Sequence, residues 1–281
     1  MSSLYQFPPK RVLVPTDLGD ASESALKYAR YLHETFGTQV RVLHAHYFEL
    51  PPYFSSGQLK DLKRELKRLG EAAVKYVRKK SEPLLGYSPD IRVVESAPAE
   101  AILEAAKAND LDLVVMGMHG RRGMERIWMG SVTERIIRQS NIPVLAVRRP
   151  PPDTPIQHIL CPMSPTDTGR QALAYAADIS RMVKATLTIL HVVERGDEPL
   201  ACPLVGEEVK NSCRVEEVNL RGSAARTILE SAASLKPDLI VMGMERKQTL
   251  MGEFFSSTTS SVMQLAAAPL LVVPKTTMKE Q

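Results

Sequence analysis

The chain has 281 residues, 44% hydrophobic but only 5% aromatic, and a net charge of +4. This length suits one large domain or two ordinary ones, and an aliphatic composition suits strands buried on both faces by helices. The modest charge argues against a dedicated nucleic-acid binder, and the lack of any run of about 18 apolar residues argues against a membrane span. Cys161, Cys202 and Cys213 form no C-x-x-C pair, which fits a reducing cytosol better than a disulfide scaffold. Cys161 follows Ile159 and Leu160 and reads as a small core residue. Met1 to Lys10 has no apolar signal region, so the expected location is cytoplasmic.

In chain order, short apolar runs predict strands over 11–15, 39–45, 91–95, 111–117 and 143–147. Helical periodicity predicts helices over 20–36, 58–80, 98–108 and 131–140. In the helix over 58–80, Leu59, Leu62, Leu66, Leu69, Ala73 and Tyr76 recur at spacings of 3 and 4, predicting one apolar face packed on the sheet. Its other faces carry Lys60, Lys63, Arg64, Lys67, Arg68, Lys75, Arg78, Lys79 and Lys80. These read as a solvated basic side or as a surface for an acidic partner, a membrane or nucleic acid. Further on, strands are expected over 157–161, 186–192, 215–219, 238–243 and 269–273, and helices over 168–184, 223–234 and 256–266. The 197–214 segment, with Pro199, Pro203 and Gly206, reads as loop.

The chain repeats itself. Val12-Leu13-Val14-Pro15 matches Ile159-Leu160-Cys161-Pro162, and Val42-Leu43-His44-Ala45 matches Ile189-Leu190-His191-Val192, both at an offset of 147. Ile102-Leu103-Glu104 matches Ile228-Leu229-Glu230, and Val115-Met116-Gly117-Met118 matches Val241-Met242-Gly243-Met244, both at an offset of 126. The drop of 21 is an insertion in the first half between its second and third strands. Two units are expected, 1–149 and 156–281, joined by the Pro-rich linker 150–155, which can continue neither helix nor central strand. Strand–helix alternation in each predicts two tandem α/β, doubly wound (Rossmann-like) domains, each with a five-stranded, mostly parallel sheet. Ligands in such folds sit beyond the carboxyl ends of the strands, at a switch point.

Three elements of the first half converge there. Pro15-Thr16-Asp17 ends the first strand, where Asp17 either accepts hydrogen bonds from a ribose hydroxyl or base amine, or caps the next helix. His44-Ala45-His46 ends the second strand, where backbone groups can meet a base edge. The third element is Met116-Gly117-Met118-His119-Gly120-Arg121-Arg122-Gly123, followed by Gly130-Ser131-Val132-Thr133 at a helix start. Glycines let backbone N–H groups approach an anion, and a helix N-terminus adds unpaired donors and a positive dipole end. The motif is neither a P-loop nor G-x-G-x-x-G. Arg121, Arg122 and Val132 are further candidates for phosphate contact, although a solvated loop suits the arginines equally. His119 reads as a loop residue. His44 and His191 occupy matched positions and read as packing residues, which leaves no metal site and no catalytic residue assigned.

The spacing Gly117-x2-Gly120-x9-Gly130-Ser131, with Asp17 in a Val-Pro-Thr-Asp setting and a doubled domain, resembles the universal stress protein family in its tandem form. The resemblance covers nearly the whole chain. It implies a stress-response or regulatory protein that binds an adenine nucleotide, ATP with Mg2+ or Mn2+. Adenine would lie near Asp17 and Ala45, with the phosphates on Gly117, Gly120, Gly130 and Ser131. The second half departs from the pattern: Ser164 stands for Asp17, Arg246 for Gly120 and Ser256 for Gly130, while Gly243 and Ser257 are kept. One nucleotide per chain is therefore expected, with the second half structural or partner-binding and paired to the first through the last strands, as in family dimers. A homodimer and an unidentified protein partner are further expectations. The alternatives are a slow ATP hydrolase or nucleotidyl-transfer enzyme, for which no general base is evident, and a nucleotide-independent scaffold using the basic helix 58–80.

Overall fold

The computed structural model describes residues 7–46, 56–108, 110–118, 130–151, 154–196, 198–199, 204–244, 246–249, 252–255 and 257–275, with backbone alone for 56–67, 246–249, 252–255 and 257. The first half runs β1 (Arg11–Pro15), α1 (Asp20–Phe36), β2 (Gln39–His46), α2 (Ser56–Leu85), β3 (Asp90–Glu95), α3 (Pro98–Lys107), β4 (Leu113–Gly117), α4 (Ser131–Gln139) and β5 (Val144–Val147). The second half runs β6 (His158–Pro162), α5 (Asp167–Val183), β7 (Thr186–Val193), α6 (Glu207–Ser212), β8 (Val215–Arg221), α7 (Ala224–Leu235), β9 (Leu239–Met244), β10 (Arg246–Thr249), β11 (Gly252–Phe255), α8 (Ser257–Leu265) and β12 (Leu270–Pro274).

Each half contributes five parallel strands, and the two sets fuse into one ten-stranded sheet ordered β3-β2-β1-β4-β5-β12-β9-β6-β7-β8. The seam is the antiparallel pair β5–β12, in register from Leu270 opposite Ala146 to Val272 opposite Val144. The halves thus meet through their last strands, as the family resemblance implies. Val12 and Val14 face one apolar layer and Leu13 the other, and both layers contain residues of both halves. Full burial of aliphatic side chains such as Leu13 and Ile159 contributes about 1.5–3 kcal/mol each. Cys161 lies in this core, and burial pushes its thiol up to about 12, as expected for a packing residue.

Arg148, just past β5, ties the halves further. Its guanidinium donates to the carbonyls of Met263, Gln264 and Ala266 at the end of α8, at 2.6–3.2 Å. A cation there satisfies orphan carbonyls and the negative end of the helix dipole. At the opposite end of the strands, Asp112 accepts from the N–H groups of Lys10 and Arg11, and Asp238 does the same for Gln157 and His158. This tie is duplicated, the aspartate at an offset of 126 and its two donors at an offset of 147.

Three expectations change. The 197–214 segment contains the short helix α6, and the stretch after β9 forms the hairpin β10–β11. The inserted helix α2 also does not bed on the sheet through its whole apolar stripe. Among its described side chains, Val77, Ser81 and Leu85 are buried, packed toward α1 and β3, while Leu69 and Tyr76 are 55% and 52% exposed. Neighbouring positions such as Tyr76 and Val77 diverge by about 100° around a helix, so contact at one withdraws the other. The side chains of Leu59, Leu62 and Leu66 lie outside the described residues.

Candidate functional site

A cleft of about 470 Å³ opens at the carboxyl ends of β1, β2 and β4, where the strand order reverses between β1 and β4. Asp17, Ala45, Gly117, Gly130, Ser131 and Val132 all line it. The structure therefore brings these predicted residues together from four separate segments. His119, Gly120, Arg121 and Arg122 lie outside the described residues.

The turn after β1 is over-determined. Thr16 N–H donates to Leu43 O at 2.9 Å, and Thr16 Oγ1 accepts from Leu18 N–H and donates to Ser22 Oγ, both at 3.0 Å. Leu18 adopts a left-handed φ of 63°, and Gly19 is the N-cap of α1. Asp17 is therefore not the cap. Its Oδ1 accepts from Gly19 N–H at 3.0 Å, which holds the carboxylate half-buried at the cleft rim. His44 Nδ1 lies 2.8 Å from Thr16 O, and because a carbonyl only accepts, that nitrogen is the donor. His191 repeats the contact to Met163 O at 3.0 Å. Both histidines lock the second strand to the turn after the first, the packing role their matched positions predict.

Gly117 has a reason beyond the cleft. A Cβ there would lie 2.4 Å from the Ala21 carbonyl oxygen, and one at Gly243 would lie 2.5 Å from that of Thr168. Each glycine lets the first helix of its half press against the strand. This explains why Gly243 survives where the other glycines do not.

Beyond Gly117, Met118 N–H donates to Val147 O and Gly130 N–H to Met118 O, each at 2.9 Å, so the loop leaves and returns at one point. Gly130 is the N-cap of α4 and Ser131 its first residue, with an exposed side chain. Thr133 Oγ1 donates to Gly117 O at 2.9 Å, fixing the helix start against the strand end. The first turn of α4 thus presents its orphan N–H groups and positive dipole end to the cleft. Opposite it stand apolar walls that sequence reasoning missed: Leu43, Pro98, Ile102 and Met116. The repeat of Ile102 at Ile228 was the available signal, since both line their own cleft. Apolar faces with a few convergent polar groups suit a small molecule that is flat at one end and anionic at the other.

The matched cleft of the second half is smaller, about 260 Å³, and differently lined. Ser164 replaces the carboxylate, and Thr166 rather than a glycine caps α5, accepting from Gly169 N–H at 3.2 Å. Glu194 Oε1 accepts from Ala224 N–H at the start of α7, at 3.0 Å, so a carboxylate occupies a helix N-terminus at this cleft's edge. The glycine loop is replaced by β10–β11, whose backbones pair from Arg246 opposite Phe255 to Thr249 opposite Gly252. Hairpin N–H groups committed to a ladder are not offered to an anion. Among the described residues, no group of three His, Cys, Asp or Glu could hold a metal ion. No helix among them is long and apolar enough to cross a membrane.

The Universal stress protein family pattern matches residues 8–148 and 206–274. Universal stress protein MJ0531 of Methanocaldococcus jannaschii is 34% identical over 144 residues, covering 50% of this chain and 83% of that protein. Universal stress protein MJ0577 of the same organism is 30% identical over 164 residues, covering 53% of this chain and 98% of that protein. Among solved structures, a universal stress protein from Archaeoglobus fulgidus superimposes with a TM-score of 0.73 at 21% identity, covering 95% of this chain and 99% of that one.

Proposed function

Because the chain belongs to the universal stress protein family, we propose that its first half binds one adenine nucleotide and that occupancy biases the protein's conformation or choice of protein partner in a stress response. The observation that carries this reading is the meeting, in one cleft of about 470 Å³, of the Asp17 carboxylate, the end of β2 at Ala45 and the start of α4 at Gly130–Ser131. Asp17 would accept hydrogen bonds from ribose hydroxyls or the base amine. The backbone at Ala45 would meet the base edge, while Leu43, Ile102 and Met116 cover its faces. The N–H groups at the start of α4 and the Ser131 hydroxyl would take phosphate oxygens. Gly120, Arg121, Arg122 and Val132 belong to the same phosphate-contact proposal.

ATP with Mg2+ or Mn2+ is the expected form, in which the ion would offset the negative charge of the phosphates. The second half would not bind nucleotide in this way, since it has a neutral Ser164, an acidic Glu194 at a helix start and a closed hairpin. Its role would be structural or partner-binding. Mass spectrometry of small molecules released from the purified protein by denaturation tests the reading. An adenine nucleotide is expected, with ATP affinity reduced by Gly120→Val. Protein carrying none, together with a Gly120→Val variant of unchanged affinity, would overturn it.

A further inference from the structure

The two clefts differ less at their apolar end than at the end where a phosphate would sit. Leu190, Ile228 and Met242 line the second cleft at the positions that Leu43, Ile102 and Met116 hold in the first, with the same residue types at offsets of 147 and 126. The end of β7 at Val192 stands where the end of β2 stands at Ala45. The three side chains pack the core beneath, and their outer edges still bound an open cleft of about 260 Å³. The walls that would cover a flat ring are thus kept in a half whose glycine loop has become a paired hairpin.

What the second cleft adds is Glu194, one residue past β7, where the matched position 47 holds Tyr. Glu194 Oε1 accepts from Ala224 N–H at 3.0 Å, which ties the carboxylate to the edge of the cleft. Its other oxygen, Oε2, has no partner among the described residues. An ionised carboxylate only accepts hydrogen bonds, so Oε2 calls for an N–H or O–H of a ligand. At the opposite rim Ser164 Oγ, in place of Asp17, lies 2.9 Å from Thr166 Oγ1. We propose that the second cleft is a separate site for an uncharged nucleoside or nucleobase bearing an exocyclic amine, its ring against Leu190, Ile228 and Met242 and its amine donating to Glu194 Oε2. The choice of a base rests on the reading of the first cleft, whose walls these residues repeat. The carboxylate selects the amine, and the hairpin, its N–H groups spent on the ladder, offers no place for phosphates. The chain would then hold a nucleotide in one half and a phosphate-free base in the other.

Met116 lines the first cleft and Met242 the second, so isotope-labelled methionine methyl NMR of the full chain reads the two separately, with Met116→Leu and Met242→Leu assigning the signals. The protein is saturated with ATP and Mg2+ and then titrated with adenosine. Adenosine should shift the Met242 signal saturably, whereas ATP alone should leave it in place. Purine riboside, which lacks the amine, should bind at least ten-fold more weakly. Glu194→Gln should also weaken adenosine at least ten-fold, because it keeps an acceptor for Ala224 N–H but turns an NH2 group toward the ligand's amine. A thermal melt checks that this variant stays folded. A Met242 signal unmoved by millimolar adenosine would overturn the proposal, as would equal binding of purine riboside or unchanged binding by the Glu194→Gln protein. A Met242 signal shifted by ATP as strongly as by adenosine would overturn it in favour of a second nucleotide site. Failure of the first-cleft reading shows separately, as a Met116 signal that ATP leaves in place, and the Met242 signal still decides this proposal.

Discussion

The two halves share strands, strand order and the histidine lock between the first two strands, yet their clefts have diverged where a ligand would sit. The first is about 470 Å³, has a carboxylate at its rim and receives the open start of α4. The second is about 260 Å³, has Ser164 at that rim and places Glu194 on the start of α7. What both retain, Gly117 and Gly243 above all, is what the fold needs to pack. What only the first has is what the proposed anionic, base-bearing ligand would need. The contrast between the copies separates residues that pack the fold from residues proposed to bind, which neither copy could do alone.

Four sets of substitutions sharpen or break this comparison. The largest effect is expected from Gly117→Val and Gly243→Val, because each added side chain meets backbone it cannot move without shifting a helix. Each should cost about 3 kcal/mol of stability in denaturant unfolding, and only the first should also abolish nucleotide binding. Asp17→Ala should weaken nucleotide affinity about 10- to 100-fold by isothermal titration, in line with the ~1.5–3 kcal/mol of a charged hydrogen bond, whereas Ser164→Ala should change nothing. Arg148→Ala should lower stability by about 2 kcal/mol, because it frees three carbonyls at the end of α8. Nucleotide affinity should hold, since Arg148 does not line the cleft. Ser131→Ala should reduce affinity by less than about ten-fold, the worth of one neutral hydrogen bond, with Ser257→Ala silent. If the matched second-half variants changed nucleotide affinity as much as the first-half ones, the division of roles would be wrong.

Much of this was legible in the sequence because its signals were local. Apolar runs such as Val12–Val14 and Leu113–Val115 located the strands, and Gly130-Ser131 marked the start of α4. Failures came where a distant partner decides. That Gly117 must lack a side chain depends on Ala21, nearly a hundred residues earlier in the chain. The choice between Asp17 and Gly19 as cap depends on the left-handed turn at Leu18. The hairpin β10–β11 is built from Arg-Lys-Gln-Thr and Gly-Glu-Phe-Phe, too short and mixed to show a strand period. On α2, a regular apolar stripe was legible, but the face that packs is set by α1 and β3.

Ligand stoichiometry tests the division of roles most directly. Native mass spectrometry of the protein titrated with ATP and Mg2+ should show one nucleotide per chain at saturation, with the Asp17→Ala protein needing about 10- to 100-fold more ATP to reach it. Two nucleotides per chain, or an Asp17→Ala protein that fills at the same ATP concentration as the parent, would contradict it.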